Sequence, residues 1–309
     1  MMEDYLKYLT WKESLPDMND LSVTIPQEFV EYCPNIIIDE EIDSNLLSDF
    51  KKTLLYKRLI DWSKSNLSAI MSSPGVSLLK VSDYKLDNDR LKSLYYIISL
   101  GLGILNDRYG DLFDVKDKNL DYKKEAIPVS KTNASTGFHT DSTALEYSPD
   151  IVGLLCLQPA RIGGESILAN AADLYLWMKQ LYPEDLEVLS KPIIRDVITP
   201  GSHTDIEAIK RNRFPVFSFV NGTFKFRYMK YWIISGHNRC NIEIPIELKR
   251  ALSRIDDFFQ RKENLSYYRM VRGDILFVNN NFICHNRTKY EDYDEAERKR
   301  ILVRTWINQ

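Results

Sequence analysis

Cysteine and histidine are both scarce in this chain of 309 residues, with four of each. The cysteines, Cys33, Cys156, Cys240 and Cys284, are widely spaced and form no CxxC pair. That excludes a disulfide framework or a zinc ribbon and leaves reduced thiols as the expectation. No apolar run approaches the roughly 20 residues that a helix needs to span a bilayer. Met1 to Asp20 carries acidic residues early and no apolar stretch of signal-peptide length. Charge of one sign is not in excess either: 41 Lys and Arg against 44 Asp and Glu leave a net charge of −3. With a pI near 5.9 there is no bulk electrostatic footing for nucleic acid. The basic run at Arg298, Lys299, Arg300 and Arg304 is too short to supply one. Repeats and low-complexity tracts are absent. What remains is the expectation of a soluble, cytoplasmic protein that partners neither nucleic acid nor membrane.

The composition is that of an ordinary globular protein, 44% hydrophobic and 28% charged. The length suits one large core, so residues 1–309 read as a single domain, helix-rich over 1–125 and strand-rich over 126–309. Asn45 to Leu67 and Asp87 to Asn106 have leucines and isoleucines at helical spacing, the second opening on Asp87 and Asp89. Gly75 to Val81 reads as a buried strand between them. Ile151 to Leu157 is a continuous apolar run closed by Pro159, as in a strand buried on both faces. Ser166 to Ala169 follows as a strand, then Ala171 to Leu181 and Pro183 to Leu189 as helices. Asn221-Gly222 predicts a hairpin between Phe214–Val220 and Thr223–Tyr228. Pro245 to Lys262 is an amphipathic helix. Tyr267 to Arg272, Ile275 to Val278 and Arg300 to Trp306 complete the strands. The pattern predicts a mainly β fold with covering helices, a double-stranded β-helix or jelly roll.

Two of the four histidines stand in one pattern. His139-Thr140-Asp141 places an imidazole and a carboxylate two residues apart, on one face if the backbone is extended. His285 follows 146 residues later, just after a predicted buried strand. Two imidazoles and one carboxylate form the ligand set of an open non-haem Fe(II) site, with positions left for a co-substrate and O2. Closed structural zinc would want four ligands. The tripeptide alone is weak, since short motifs arise by chance; His139 as a surface histidine beside a turn aspartate is the bland reading. The downstream arginines strengthen the pattern. His203 and His237 lie in polar stretches, are expected in solvent and stay outside the site.

In order along the chain come Phe138-His139-Thr140-Asp141, Leu154-Leu155-Cys156-Leu157-Gln158-Pro159-Ala160 and Gly163-Gly164-Glu165-Ser166. Gly273-Asp274-Ile275-Leu276-Phe277-Val278-Asn279-Asn280, Cys284-His285-Asn286-Arg287-Thr288 and Arg298 to Arg304 follow. Over roughly residues 125 to 309 this set resembles the taurine dioxygenase and clavaminate-synthase-like family of iron- and 2-oxoglutarate-dependent oxygenases. The resemblance implies His139, Asp141 and His285 as iron ligands, and Arg300 as anchor of the distal carboxylate of 2-oxoglutarate. It also implies Ser166 as a hydroxyl donor to that carboxylate, and Arg304 near the 1-carboxylate or the substrate. A guanidinium suits this task because it is permanently charged and binds a carboxylate through two parallel hydrogen bonds. The implied reaction oxidises a substrate C–H bond while 2-oxoglutarate becomes succinate and CO2. Relatives that halogenate lack a carboxylate at the position of Asp141, so its presence argues for hydroxylation, with desaturation and ring closure still open. Asn286 departs from the family, which commonly has glycine after the distal histidine.

Candidate substrate contacts are Ser135, within Lys131 to Thr136, then Glu146 after the ligands, Arg227 beyond the hairpin, and Arg304. Ser142, Thr143, Phe226 and Tyr228 border the same regions. Arg304 and Glu146 tilt the substrate toward a small polar, amino-acid-like molecule. Two alternatives stay open at this point: a jelly-roll metal-binding or binding module without 2-oxoglutarate turnover, and an Fe(II) oxygenase that needs no 2-oxoglutarate. A salt bridge from Arg300 or Arg304 to a barrel carboxylate such as Asp274 would serve either.

Overall fold

Strands from both halves of the chain interleave in one large sheet. The structure, a computed structural model, describes residues 2–11, 15–81, 86–117, 135–143, 148–196 and 205–309. The sheet contains β1 (Ser22–Thr24), β2 (Val76–Lys80), β3 (Ile104–Leu105), β4 (Phe113–Val115), β5 (Ile151–Gln158), β10 (Asp274–Asn279) and β12 (Ile301–Asn308). Its order is β1-β2-β10-β5-β12, and the far edge of β12 pairs with β3 and β4. Only β1 with β2 is parallel. Residues before 126 therefore supply four of its seven strands. They are built into the sheet, so the helix-rich part of the sequence reading also supplies strands to the core.

Facing it is a smaller antiparallel sheet of β6 (Ser166–Asn170), β9 (Leu265–Tyr268) and β11 (Ile283–Arg287), with β6 in the middle. The hairpin β7 (Phe217–Val220) and β8 (Thr223–Phe226) lies alongside, turning at Asn221 and Gly222. Both turn residues take positive φ, 51° and 80°, as a two-residue hairpin loop requires.

Period-two alternation divides the core. On β10, Leu276 and Val278 face the space between the sheets, while Ile275 and Phe277 face the helices on the other side. The second face is covered by α2 (Asn88–Leu102), whose Leu91, Leu94, Ile97 and Ile98 are buried against it, with α1 (Leu54–Ser65) behind. On the smaller sheet's side, α3 (Ala171–Leu181), α4 (Pro183–Leu189) and α6 (Ile246–Phe259) join the same cluster as the space between the sheets. On β12, Leu302 and Trp306 point inward and Val303 and Ile307 toward α2. A one-residue slip would swap these faces and drive Arg304 into the apolar helical side. Burying that cation without an anion costs several kcal/mol, of the order of 2–7 for a polar group alone, so the register that forms the site is fixed by core chemistry.

Several boundaries depart from expectation. The helix predicted from Asn45 to Leu67 is broken at Thr53, whose hydroxyl caps a new helix by accepting from the Tyr56 amide. Asp87 caps α2, and the helix stops at Gly103, short of Asn106. Tyr267 to Arg272 is strand only to Tyr268. Pro215 separates Phe214 from β7. Lys230–Arg239, α5, is a helix that the sequence does not announce. No described helix is long and apolar enough to cross a membrane.

Candidate metal centre

His139 and His285 are neighbours through their backbones. The His139 amide donates to the His285 carbonyl at 3.0 Å, and the His285 amide returns the bond at 2.9 Å. His285 lies on β11. His139 sits in a single bridge rather than a strand, and Asp141 opens a turn whose next residue, Ser142, has φ 59°. The extended His-x-Asp segment of the sequence reading is thus a bridge leading into a turn. Asn280 fixes that turn from β10's end: its Oδ1 accepts from the Asp141 amide at 2.7 Å, and its Nδ2 donates to the carbonyls of Asp141 and Pro149.

The ligand atoms of His139, Asp141 and His285 lie within 4.8 Å of one another. Asp141 Oδ1 is 3.6 Å from His139 Nε2 and 3.5 Å from His285 Nε2. The other oxygen, Oδ2, is occupied: Trp306 Nε1 donates to it at 2.6 Å and Arg304 Nη1 at 3.1 Å. So the carboxylate offers one oxygen to the histidines and is held by the other. Burial alone would push the Asp141 carboxyl up, but Arg304, His285 and His139 outweigh it and hold the group well below the usual carboxylate range. Burial, with His285 beside it, pushes the His139 imidazole down to about 4. It is uncharged at neutral pH, the form that can donate a lone pair. His139 Nδ1 lies 2.9 Å from the Gly137 carbonyl; a carbonyl only accepts, so Nδ1 carries the proton and Nε2 is left for a ligand bond.

The three residues line an open cavity of about 70 Å³. Val152, Leu154, Leu168, Leu276, Val278 and Leu302 form an apolar wall, and Arg287, Arg300, Arg304 and Ser166 add polar groups. Arg300 is 4% exposed and its Nη1 has no hydrogen-bond partner among the described residues. Asp274, the carboxylate that the sequence offers as its alternative partner, accepts from the Tyr268 hydroxyl and the Val271 amide. Burial lowers the Arg300 pKa and pushes that of Arg287 down to about 10. Arg300 Nη1, desolvated and without a partner among the described residues, calls for an anionic acceptor. The turn at Gly163-Gly164 backs the site: both residues have positive φ, and a Cβ on Gly164 would come 3.3 Å from Arg300 Nε.

His139, Asp141, His285, Ser166, Arg300 and Arg304 therefore all reach the cavity. Arg304 does so as the ion-pair partner of Asp141. Other residues of the sequence reading lie elsewhere. Arg227 is not among the described cavity residues; its guanidinium lies 3.8 Å over the Phe214 ring and donates to the Thr143 carbonyl. Phe226 and Tyr228 belong to the core. Ser135 is exposed and donates to Asn286 Oδ1. His237 is buried on α5 with Nδ1 at 2.8 Å from the Ile233 carbonyl, not in solvent. Glu146, Lys131 to Ala134 and His203 lie outside the described residues.

The sequence reading missed Arg287, Trp306 and Asn280. Arg287 could have been found, since it is two residues beyond His285 on a strand and shares its face. Asn286 now has a reason to be there: its Oδ1 accepts from the Ser135 and Thr136 hydroxyls and the Arg287 amide, tying the segment before His139 to β11.

Comparison with known proteins places these residues in context. The profile of the family described as "Taurine catabolism dioxygenase TauD, TfdA family" matches residues 56–306. FR-33289 synthase of Streptomyces rubellomurinus is 28% identical over 216 residues, 68% of this chain and 61% of that protein. Gamma-butyrobetaine dioxygenase of Homo sapiens is 24% identical over 203 residues, 62% of this chain and 48% of that protein. The matches thus span about half to three-fifths of these relatives' lengths. Among solved structures, an asparagine oxygenase in complex with Fe(II), 2S,3S-3-hydroxyasparagine and succinate superposes with a TM-score of 0.63 at 16% identity, over 93% of each chain. The non-haem iron oxygenase OrfP with Fe and alpha-ketoglutaric acid gives 0.62 at 14% identity, over 93% of this chain and 94% of that one. At such identities the likeness is one of fold, and the fold is the jelly roll that the sequence predicts.

Proposed function

Because the chain belongs to the taurine catabolism dioxygenase TauD, TfdA family, we propose that it is an Fe(II)- and 2-oxoglutarate-dependent dioxygenase that hydroxylates a C–H bond of a small polar, amino-acid-like substrate. The observation that carries the reading is the meeting of His139 Nε2, His285 Nε2 and Asp141 Oδ1 at one point beside a cavity that also holds the buried Arg300, whose Nη1 has no partner among the described residues. In this reading those three atoms hold the metal, and the donor set leaves coordination positions open. Bound iron supplies the oxygen chemistry, coupled to decarboxylation of 2-oxoglutarate to succinate and CO2, which no side chain here provides.

The protein's own part is positioning. Trp306 and Arg304 turn Asp141 so that Oδ1 faces the histidines. Arg300 binds the distal carboxylate, with Ser166 as a hydroxyl donor, and the apolar wall keeps water from the reacting centre. The names of gamma-butyrobetaine dioxygenase and asparagine oxygenase support a small, polar, amino-acid-like substrate. The chain works in this reading as one oxygenase domain, and its unpaired, buried cysteines suit the cytoplasm. The unpartnered Nη1 of Arg300 favours 2-oxoglutarate over the two alternatives, neither of which needs a carboxylate anchor.

Anaerobic addition of Fe(II) and then 2-oxoglutarate should produce a weak visible charge-transfer band, and candidate amino-acid-like compounds should drive succinate formation. An iron-loaded protein without that band would overturn the assignment. Trp306→Phe keeps the ring and removes the donor to Oδ2. It should weaken divalent-metal binding by roughly 10–100-fold, as outer partners of metal ligands do. Metal titration of the folded variant checks this.

A further inference from the structure

We propose that Arg287 is a second cationic anchor for the distal carboxylate of 2-oxoglutarate, joining Arg300 and Ser166 around one oxygen pair. This rests on reading the cavity as a 2-oxoglutarate site.

The placement follows from strand register. Arg287 lies two residues beyond His285 on β11, so its side chain leaves the same face, and both residues line the cavity. Across the ladder its partner is Ser166, and His285 is opposite Leu168. Ser166 and Arg287 are therefore a cross-strand pair, one step further from the metal ligands than Leu168 and His285.

Arg300 reaches the same spot from the entrance to β12. Its guanidinium carbon is 5.0 Å from the centre of the Tyr290 ring, and that of Arg287 is 4.8 Å from the same ring. Two buried cations sharing one aromatic platform repel each other. The ring quadrupole offsets part of that, and Asp292, which accepts the Arg300 amide, adds a carboxylate in the neighbourhood. Among the described residues Arg300 Nη1 and the Tyr290 hydroxyl nevertheless have no hydrogen-bond partner. A ligand carboxylate between the guanidinium groups supplies acceptor oxygens for these two donors. Arg304 cannot serve here, since its guanidinium is engaged at the metal end by Asp141.

The consequence is selectivity. A distal subsite with two guanidinium groups should demand a dicarboxylic 2-oxo acid and reject a monocarboxylic one such as 2-oxovalerate. The test is calorimetric titration of 2-oxoglutarate into the anaerobic Fe(II)-loaded full-length protein, wild type and Arg287→Met. Affinity should fall roughly 10- to 100-fold in the variant, the range for losing one hydrogen bond to a charged group, with Fe(II) affinity unchanged. Arg287→Lys should recover part of the loss. If Arg287→Met does not yield folded protein, Arg287→Lys and Tyr290→Phe carry the test, each expected to weaken 2-oxoglutarate and leave iron binding alone. Wild-type affinity in the folded variants would overturn the assignment of Arg287 and leave the wider reading standing. A wild-type protein that binds iron but no 2-oxoglutarate would instead overturn the reading beneath it.

Discussion

Asp141→Asn is expected to abolish turnover and to strip the protein of iron while the chain stays folded. The amide keeps the shape of the carboxylate and an oxygen that can accept from Trp306 Nε1. It loses the charge that makes Oδ1 a ligand and that neutralises Arg304 at 3.1 Å. Removing an outer partner of a metal ligand costs about 10–100-fold in affinity, so removing one of three ligands should cost more than 100-fold. The stability penalty for stranding Arg304 is bounded by the about 3–5 kcal/mol seen when one member of a buried pair is deleted. The Arg304 side chain remains 16% exposed, which reduces it. Asp141→Ala also leaves Trp306 without its acceptor, so it should unfold more readily than the asparagine variant while losing iron to the same extent. Metal content after dialysis, unfolding midpoints and succinate release separate the two effects. Wild-type iron content and turnover in Asp141→Asn would remove the foundation of the proposed site.

Arg300→Met should raise the 2-oxoglutarate dissociation constant by roughly 30-fold to several thousand-fold, the equivalent of about 2–5 kcal/mol for truncating one partner of a desolvated charge pair. Methionine keeps much of the apolar stem against Tyr290. Iron binding should be unaffected, because Arg304 and Trp306, not Arg300, hold Asp141. The co-substrate-free protein offers a sharper contrast. There Arg300 is a buried cation with an unmatched Nη1, so removing it should leave the melting temperature unchanged or higher. Only the stabilisation conferred by added 2-oxoglutarate should disappear. A variant that melts lower on its own yet binds 2-oxoglutarate normally would show that Arg300 serves the fold.

Where periodicity and residue chemistry agree, the chain was readable. Ile275 to Val278 is apolar at every position and lies between two hydrophobic layers, as such a run should. The histidines and Asp141 were legible because the rarity of His in this chain makes their pattern stand out. Helix α5 was not legible: it has no side-chain cap and carries Ser235, Gly236 and His237 in its interior. Tertiary packing explains it, since a Cβ at Gly236 would come 2.7 Å from the Asp196 amide. The two- and three-residue strands β1, β3 and β4 are too short for any period to show, so the contribution of the N-terminal part to the main sheet was hidden. Arg227 illustrates a different limit. Its charge was visible, but only the three-dimensional arrangement decides the direction of its side chain. Trp306 read as the end of a core strand, and its indole N–H found Asp141 across 165 positions of chain.

The reciprocal backbone bonds between His139 and His285 have a bearing on how the protein acquires its metal. They join segments far apart along the chain, and a contact of that separation closes late because it carries a large loop-entropy cost. A growing or partly collapsed polypeptide holds at most fragments of the ligand set, so tight capture waits for the barrel to shut. Once seated, the ion becomes a clasp between early and late parts of the polypeptide, and its binding energy opposes their separation.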